Sequence, residues 1–284
     1  MNIRGVVVPM ISPLTPAGAI DEPAVGRIVD HLVAQGVHGI FPLGTTGESA
    51  SITVDEKRTL AAATARHAKG RATLYAGIAS TCFRESVDAA AAYQQLSFDA
   101  AVAHVPSYYP LDDDEVEAYF LRLADAISLP LVLYNIPATT HRSIPLNVVD
   151  RLRRHPNIVA IKDSAQDRHR LTELLQLTGG PAGFPVLVGS SVNSAHGLRH
   201  GAAGLVPSGG HLIGDKYRQM FDAAMADRWD DVERLQQETD DTCAKYLHGR
   251  TLGQGLAAMK ALLEQRGLCG RTMLPPLRDH VGDL

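Results

Sequence analysis

Lys162 is an ionisable side chain at the end of an otherwise apolar run, IVAIK. A charged group at such a position costs free energy unless it has a role. Desolvation lowers the pKa of an ammonium group, and the neutral amine can then attack a carbonyl carbon and form an imine. We therefore predict that Lys162 is a Schiff-base nucleophile. The alternative is a strand-end lysine that reaches water or pairs with Asp163.

Tyr134 lies near the end of the preceding apolar run, LVLYN. If the two runs are adjacent parallel strands, which lie about 5 Å apart, the tyrosine is beside Lys162 with its hydroxyl near the amine. A phenol can protonate the hydroxide that leaves a carbinolamine and can carry protons during C–C bond cleavage. Tyr134 is therefore the candidate acid/base, and the alternative is a tyrosine that only packs through its ring.

A turn with the sequence Gly44-Thr45-Thr46-Gly47-Glu48 follows another apolar run. Two glycines around two threonines allow backbone N–H groups to converge on an anion, for which a substrate carboxylate is the natural candidate. The alternative is a tight strand-to-helix turn in which the hydroxyl groups only cap the chain.

Eight short β-branched or apolar runs alternate with longer stretches of helical periodicity. Strands that are apolar on both faces and separated by helices indicate a parallel sheet covered by helices, and eight of them favour closure into a (β/α)8 barrel. In such barrels the chemistry lies at the carboxyl ends of the strands. The predicted strands are residues 6–10, 39–43, 73–78, 100–105, 131–135, 158–163, 186–189 and 204–207.

The helical stretches include two that start near Asp55 and Asp112. From about residue 215 onward, three further helices follow with no strand between them. We therefore predict one domain over residues 1–284, with the barrel core in 1–214 and the last barrel helix plus a C-terminal helical extension in 215–284.

Composition is that of an ordinary globular protein, with 45% hydrophobic and 20% charged residues. The net charge is −4 and the basic residues are scattered, which argues against a nucleic-acid partner. Three cysteines without metal-type spacing fit a reducing compartment, so the cytoplasm is expected. No signal peptide is recognised, and no apolar run approaches the roughly 20 residues that a membrane span requires.

Four segments together resemble the dihydrodipicolinate synthase and N-acetylneuraminate lyase family of pyruvate-dependent class I aldolases, and the resemblance covers essentially the whole chain. It implies that Lys162 is the Schiff-base lysine, that Tyr134 is the general acid/base, and that Thr45 links its hydroxyl to Tyr134 in a proton relay. The four segments are GTTGES (44–49), YYP (108–110), YNIP (134–137) and IKDS (161–164).

The same resemblance implies a second set of site residues. Tyr109 would reach into the site of a neighbouring subunit, so the active enzyme would be a homodimer or homotetramer. Thr46 and the backbone of Gly47 would bind the carboxylate of the 2-oxo acid, and Gly189 and the backbone of Val206 would lie near its pyruvyl group. The protonated imine is itself the electron sink, so neither a metal nor a cofactor is expected.

One position differs from the synthases, which place an arginine two residues after the proline of the YN-x-P segment to bind the carboxylate of the aldehyde substrate. Thr139 stands there, and Arg142 lies three residues further along. This difference disfavours 4-hydroxy-tetrahydrodipicolinate synthesis and favours a substrate with a hydroxylated tail. Candidate contacts to such a tail are Thr139, Thr140, His141, Ser190, Ser191, Asn193, Ser208 and His211.

The sequence thus predicts a Schiff-base lyase that cleaves or forms a C–C bond to pyruvate in a 2-oxo acid, with a 2-keto-3-deoxy sugar acid or similar compound as the substrate. Three alternatives stay open. They are 4-hydroxy-tetrahydrodipicolinate synthase, a metal-dependent aldolase on the same barrel, and a protein that binds a 2-oxo acid without catalysis.

Overall fold

The protein, seen in a computed structural model that describes residues 3–180 and 183–282, is a closed barrel of eight parallel strands. Each strand pairs with its neighbour in the chain, and the first pairs with the eighth. The strands are β1 (Gly5–Val8), β2 (Gly39–Ile40), β3 (Thr73–Gly77), β4 (Ala100–Ala103), β5 (Leu131–Asn135), β6 (Ile158–Asp163), β7 (Val186–Val188) and β8 (Gly204–Leu205).

The predicted (β/α)8 barrel is confirmed, and all eight predicted strands are present. β5 and β6 have the predicted bounds, whereas β2 and β8 contain only two residues each. Pro42 and Pro207 lie two residues beyond the ends of these short strands. Proline has no N–H to donate to a neighbouring strand, so the ladder stops and the chain turns into the loops above the barrel.

Eleven α-helices are present in the described part of the chain. Two helices, rather than one, connect β5 to β6, and a 3-10 turn over Ser191–Asn193 precedes α8. The helices are α1 (Glu22–Ala34), α2 (Val54–Ala68), α3 (Phe83–Gln95), α4 (Asp113–Ala126), α5 (Pro137–Thr140), α6 (Leu146–Leu152), α7 (Arg168–Thr178), α8 (Ser194–Arg199), α9 (Gly210–Met225), α10 (Trp229–Leu247) and α11 (Leu252–Gln265).

The two helices expected near Asp55 and Asp112 begin where capping chemistry dictates. Thr53 caps α2 in a reciprocal capping box with Glu56, and Asp112 caps α4 in the same way. Such boxes satisfy backbone N–H groups that the first turn of a helix leaves unpaired. The starting points of α2 and α4 are therefore encoded locally.

The C-terminal part consists of α9, α10 and α11. α9 packs against β1 and β8 and so completes the ring of helices, while α10 packs against α8, α9 and α11. α9 begins at Gly210, inside the segment assigned above to the barrel core. The division of the chain at residue 214 stays a prediction. In residues 3–180 and 183–282, every helix falls short of the length and apolarity that a bilayer crossing requires.

Two layers of apolar side chains form the core. The larger layer lies between the strands and the surrounding helices, and the smaller one fills the barrel. Tyr134 belongs to the inner layer together with Phe41 and Val206. The barrel interior is therefore packed with side chains, and chemistry in such a barrel is expected at its carboxyl-terminal mouth.

Candidate active site

Lys162 and Tyr134 are register partners on β6 and β5. The Lys162 Nζ lies 3.9 Å from the centroid of the Tyr134 ring, and 5% of Lys162 and 4% of Tyr134 is exposed to solvent. A cation over an aromatic face at this distance is stabilised by the ring quadrupole. The predicted adjacency of the two side chains is present, and Lys162 does not reach bulk water.

Asp163 does not pair with Lys162. Its carboxylate accepts hydrogen bonds from Asn135 Nδ2 at 2.8 Å, from the Ala165 N–H at 2.9 Å and from Arg170 Nε at 3.3 Å. Burial raises the pKa of Asp163, and the Arg170 guanidinium opposes that shift. Since Asn135 and Asp163 directly follow Tyr134 and Lys162, this network fixes the ends of β5 and β6 beside each other.

The aliphatic stem of Lys162 lies between an aromatic ring and a glycine. Nζ is 5.0 Å from the centroid of the Phe41 ring, which in turn packs edge-on to Tyr134 with centroids 6.4 Å apart. A Cβ atom at Gly189 would lie 2.9 Å from Lys162 Cε and 2.0 Å from the Ser164 hydroxyl. A side chain at Gly189 would therefore displace the lysine, which gives this glycine a steric reason for its place in the site.

The turn after β2 is held against β3 by a close backbone approach. Leu43 has a φ of 64°, a left-handed conformation that is unfavourable for leucine. A Cβ atom at Gly77 would lie 1.9 Å from the Leu43 carbonyl oxygen, so only glycine fits there. The turn places the Thr45 Oγ1 3.4 Å from the Tyr134 hydroxyl. The two groups of the expected relay are thus in contact.

The N–H groups of the turn divide into two sets. The Gly47 N–H donates to the Gly44 carbonyl at 3.0 Å, and the Glu48 N–H donates to the Thr45 carbonyl at 3.1 Å. The N–H groups of Thr45 and Thr46 donate to no partner in the part of the chain that the structure describes. An anion would therefore be met by Thr45 and Thr46. Gly47 instead lets the turn approach β1, because a Cβ atom there would lie 2.8 Å from the Met10 carbonyl oxygen.

Glu48, the last residue of the turn, forms a buried ion pair with Lys260 of α11, with 0% and 1% of the two side chains exposed. Lys260 Nζ also donates to the Thr272 carbonyl at 2.8 Å, and Glu48 Oε2 accepts from the Leu274 N–H at 3.3 Å. The C-terminal part is thereby tied to the turn. Neither Glu48 nor Lys260 was among the predicted site residues, although Glu48 lies within the GTTGES segment.

A cavity opens beside the turn over residues 44–48 and reaches the site at Thr45. Its lining includes Thr45, His104, Ser107 and Thr139 as polar groups and Leu252, Leu256 and Leu277 as apolar ones. Thr139, on α5, therefore lines this cavity. His104 was missed because it fell inside the predicted strand AAVAHV; β4 ends at Ala103, and a histidine in that apolar run was the available signal.

The tyrosine pair after β4 is on the surface. Tyr108 and Tyr109 are 77% and 71% exposed, and their rings meet edge-to-face with centroids 5.0 Å apart. Arg142 lines the same surface groove and forms an ion pair with Asp113 at the start of α4. Tyr109 therefore contacts neither Tyr134 nor Thr45 within its own chain, and Arg142 is engaged away from Lys162.

Several of the other candidate tail contacts make structural hydrogen bonds. The fully buried His211 accepts from the Ile11 N–H at 3.0 Å and donates through Nδ1 to the Ser208 carbonyl at 2.8 Å, and burial lowers its pKa to about 4. Asn193 accepts from Arg168 Nε at 3.0 Å, and the Thr140 hydroxyl donates to the Ile136 carbonyl at 3.0 Å.

Within the described ranges, His, Cys, Asp and Glu form no group of three suited to a metal ion.

The chain is similar to known proteins along its whole length. Residues 2–281 match the sequence model of the dihydrodipicolinate synthetase family. The 4-hydroxy-tetrahydrodipicolinate synthase 1 of Streptomyces coelicolor is 33% identical over 269 residues, which cover 95% of this chain and 86% of that protein. The dihydrodipicolinate synthase of Bacteroides thetaiotaomicron has a TM-score of 0.93 and 28% identity, with 98% of this chain and 94% of that one covered. YagE of E. coli K12, solved in complex with pyruvate, shares the fold with a TM-score of 0.92 at 24% identity, over 98% and 94% of the two chains.

Proposed function

Because the chain belongs to the dihydrodipicolinate synthetase family, it is a pyruvate-dependent lyase or synthase. We propose that it forms its Schiff base at Lys162. We further propose that it cleaves or forms a C–C bond in a hydroxylated 2-oxo acid. The observation that carries the proposal is the position of the Lys162 amine, 3.9 Å from the centroid of the Tyr134 ring, at the carboxyl end of adjacent strands. The expected substrate is a 2-keto-3-deoxy sugar acid or a similar compound.

The first half of the reaction would use Lys162 and Tyr134. After the Lys162 ammonium group has released a proton to water, the neutral amine adds to the C2 carbonyl of the 2-oxo acid and gives a carbinolamine. Tyr134 donates its hydroxyl proton to the departing hydroxide, which leaves as water, and a protonated imine forms. The Thr45 hydroxyl, 3.4 Å from that of Tyr134, would support the proton transfer.

Bond cleavage would follow from the electron demand of the imine. The tyrosinate takes the proton of the C4 hydroxyl, the C3–C4 bond breaks, and its electron pair moves into the imine to give an enamine. An aldehyde leaves, Tyr134 returns the proton to C3, and water hydrolyses the imine to release pyruvate. The N–H groups of Thr45 and Thr46 and the Thr46 hydroxyl would hold the C1 carboxylate throughout.

The choice of a hydroxylated tail rests on the charge of the cavity. Its described lining contains no Lys or Arg, and Glu48, which also lines it, is paired with Lys260. Thr139 stands where a synthase would have a carboxylate-binding arginine. Arg142 is engaged with Asp113 in a surface groove. A second carboxylate would therefore lack a cationic partner in this cavity, whereas hydroxyl groups could be met by neutral polar side chains.

4-Hydroxy-tetrahydrodipicolinate synthase is the second candidate, because the Streptomyces coelicolor relative bears that name at 33% identity. It requires condensation of pyruvate with aspartate semialdehyde, which carries a carboxylate. The cavity chemistry disfavours this substrate, and the two activities are separated by one substrate panel.

A dimer or tetramer is also part of the proposal. Tyr109 is 71% exposed next to the exposed Tyr108, and paired aromatic rings on a surface are typical of a subunit interface. Tyr109 would enter the site of a neighbouring copy and extend the relay of Thr45 and Tyr134.

The decisive assay measures pyruvate release from 2-keto-3-deoxy sugar acids, neuraminate and 4-hydroxy-2-oxoglutarate, and pyruvate consumption with aspartate semialdehyde. We expect release from a hydroxylated acid in the wild type and in Lys245→Ala, an exposed lysine on α10. Lys162→Ala is expected to be inactive on every substrate. Turnover of aspartate semialdehyde alone would establish the second candidate. A rise in Tm with pyruvate but no turnover would establish a non-catalytic binding protein.

A further inference from the structure

We propose that His104 determines specificity by accepting, through Nε2, a hydrogen bond from a hydroxyl group on the part of the substrate that becomes the aldehyde. This inference rests on the proposed function. His104 follows β4 directly and lines the cavity together with Thr45, Ser107 and Thr139.

The backbone fixes the tautomer of His104. Its Nδ1 lies 2.7 Å from the Val105 carbonyl oxygen. A carbonyl oxygen can only accept, so Nδ1 carries the proton, and Nε2 of the neutral ring presents a lone pair. No hydrogen bond to Nε2 is present from any residue that the structure describes. The ring is therefore a preoriented and unused acceptor.

The surroundings keep the ring neutral. Burial lowers the pKa of His104, the Val105 carbonyl raises it less, and the positive charge of Lys162 lowers it further. A neutral imidazole in this place can accept a hydrogen bond from a hydroxyl group. It carries no positive charge that would attract a carboxylate.

The position of the His104 ring indicates that it contacts the tail of the substrate. The rings of His104 and Tyr134 meet edge-on with centroids 6.1 Å apart, while Lys162 Nζ lies over the Tyr134 ring. An atom chain attached to Lys162 through C2 would pass the Tyr134 hydroxyl at C4 and then enter the cavity, which Thr45 lines 3.4 Å from that hydroxyl. A group beyond the scissile bond would thus meet His104. An acceptor left unsatisfied by an analogue without the hydroxyl would cost roughly 10–100-fold in affinity, which is about 1.4–2.8 kcal/mol.

The test compares two 2-oxo acids of equal length that would both form the imine. Borohydride inactivation is titrated with a six-carbon 2-keto-3-deoxy sugar acid and with 2-oxohexanoate, and the ratio of their half-saturating concentrations is the readout. His104→Asn retains an amide N–H for the Val105 carbonyl but removes Nε2. His104→Gln instead offers an amide oxygen near the Nε2 position. His169→Asn, at an exposed histidine on α7, is the matched control.

We expect the wild type and His169→Asn to prefer the hydroxylated acid, His104→Asn to lose this preference by about tenfold or more, and His104→Gln to recover part of it. An unchanged ratio in His104→Asn would overturn the inference while leaving the imine chemistry intact. A wild type that is trapped with pyruvate but does not prefer the hydroxylated acid would overturn it in the same way. Absence of trapping with pyruvate in the wild type would instead contradict the proposed function and, with it, this inference.

Discussion

The Tyr134 side chain combines two roles that a single substitution can separate. Its ring packs against Phe41 and carries Lys162 Nζ over its face, whereas its hydroxyl contacts Thr45 Oγ1. Packing alone would make the tyrosine a structural residue. Proton transfer requires only the hydroxyl group, which a phenylalanine lacks.

Tyr134→Phe is expected to lower kcat by about 10²–10⁴-fold, because the leaving hydroxide and the C4 hydroxyl lose their acid/base. Circular dichroism should show an unchanged fold, since the ring is retained. Thr45→Val should give a smaller loss and Thr45→Ser little change. A Tyr134→Phe enzyme with the kcat of the wild type would show that the tyrosine only packs.

At the residue scale, the sequence could predict those site residues whose polar side chains stand out at the end of an apolar run. Lys162 and Tyr134 end such runs, and their adjacency follows from parallel pairing. His104 was hidden because the predicted fourth strand was two residues too long and absorbed it. The free N–H groups of Thr45 and Thr46 could not be assigned either, since the path of the turn depends on Leu43.

The link between the turn and α11 is a property of elements that are distant in the chain. Glu48 and Lys260 are almost completely buried, and each also contacts backbone between residues 272 and 274. A helix in the C-terminal part thereby supports the turn that contacts Tyr134. No local pattern predicts this pair, because its partners meet only after the barrel has closed.

Lys260→Met is expected to lower the free energy of unfolding by about 3–5 kcal/mol, because it leaves the Glu48 carboxylate buried without its partner. It should also raise the KM for pyruvate, since the turn shifts. Urea denaturation and steady-state kinetics measure the two effects. Arg234→Met breaks the exposed pairs with Asp231 and Glu238 on α10 and should cost less than about 1 kcal/mol. Equal losses in the two variants would contradict a supporting role for the buried pair.

Closure of the barrel could be predicted for the whole molecule from the number and order of the strands, because right-handed β-α-β connections leave few other arrangements. Strand ends were less predictable, since prolines and loop contacts above the barrel decide where the ladder stops. The oligomeric state depends on contacts between chains and could not be derived from the strand pattern. The exposed Tyr108 and Tyr109 are the feature that indicates a subunit interface.

Shared sites predict complementation between two inactive subunits. Tyr109→Ala should lower kcat by about 100-fold or more if the relay is completed from a neighbouring copy. Co-expression of Tyr109→Ala with Lys162→Ala should restore activity, because a hybrid site combines Lys162 of one subunit with Tyr109 of the other. Sedimentation analysis of the wild type should show a dimer or tetramer. An inactive hybrid or a monomer at assay concentration would contradict the shared site.

Covalent trapping tests the imine at Lys162 most directly. The wild type is incubated with pyruvate and reduced with borohydride, and the adduct is located by mass spectrometry of the intact chain and of its peptides. Imine chemistry predicts one reduced pyruvyl group per chain, on Lys162, and none in Lys162→Ala. An adduct on another lysine, or none on the folded wild type, would contradict it.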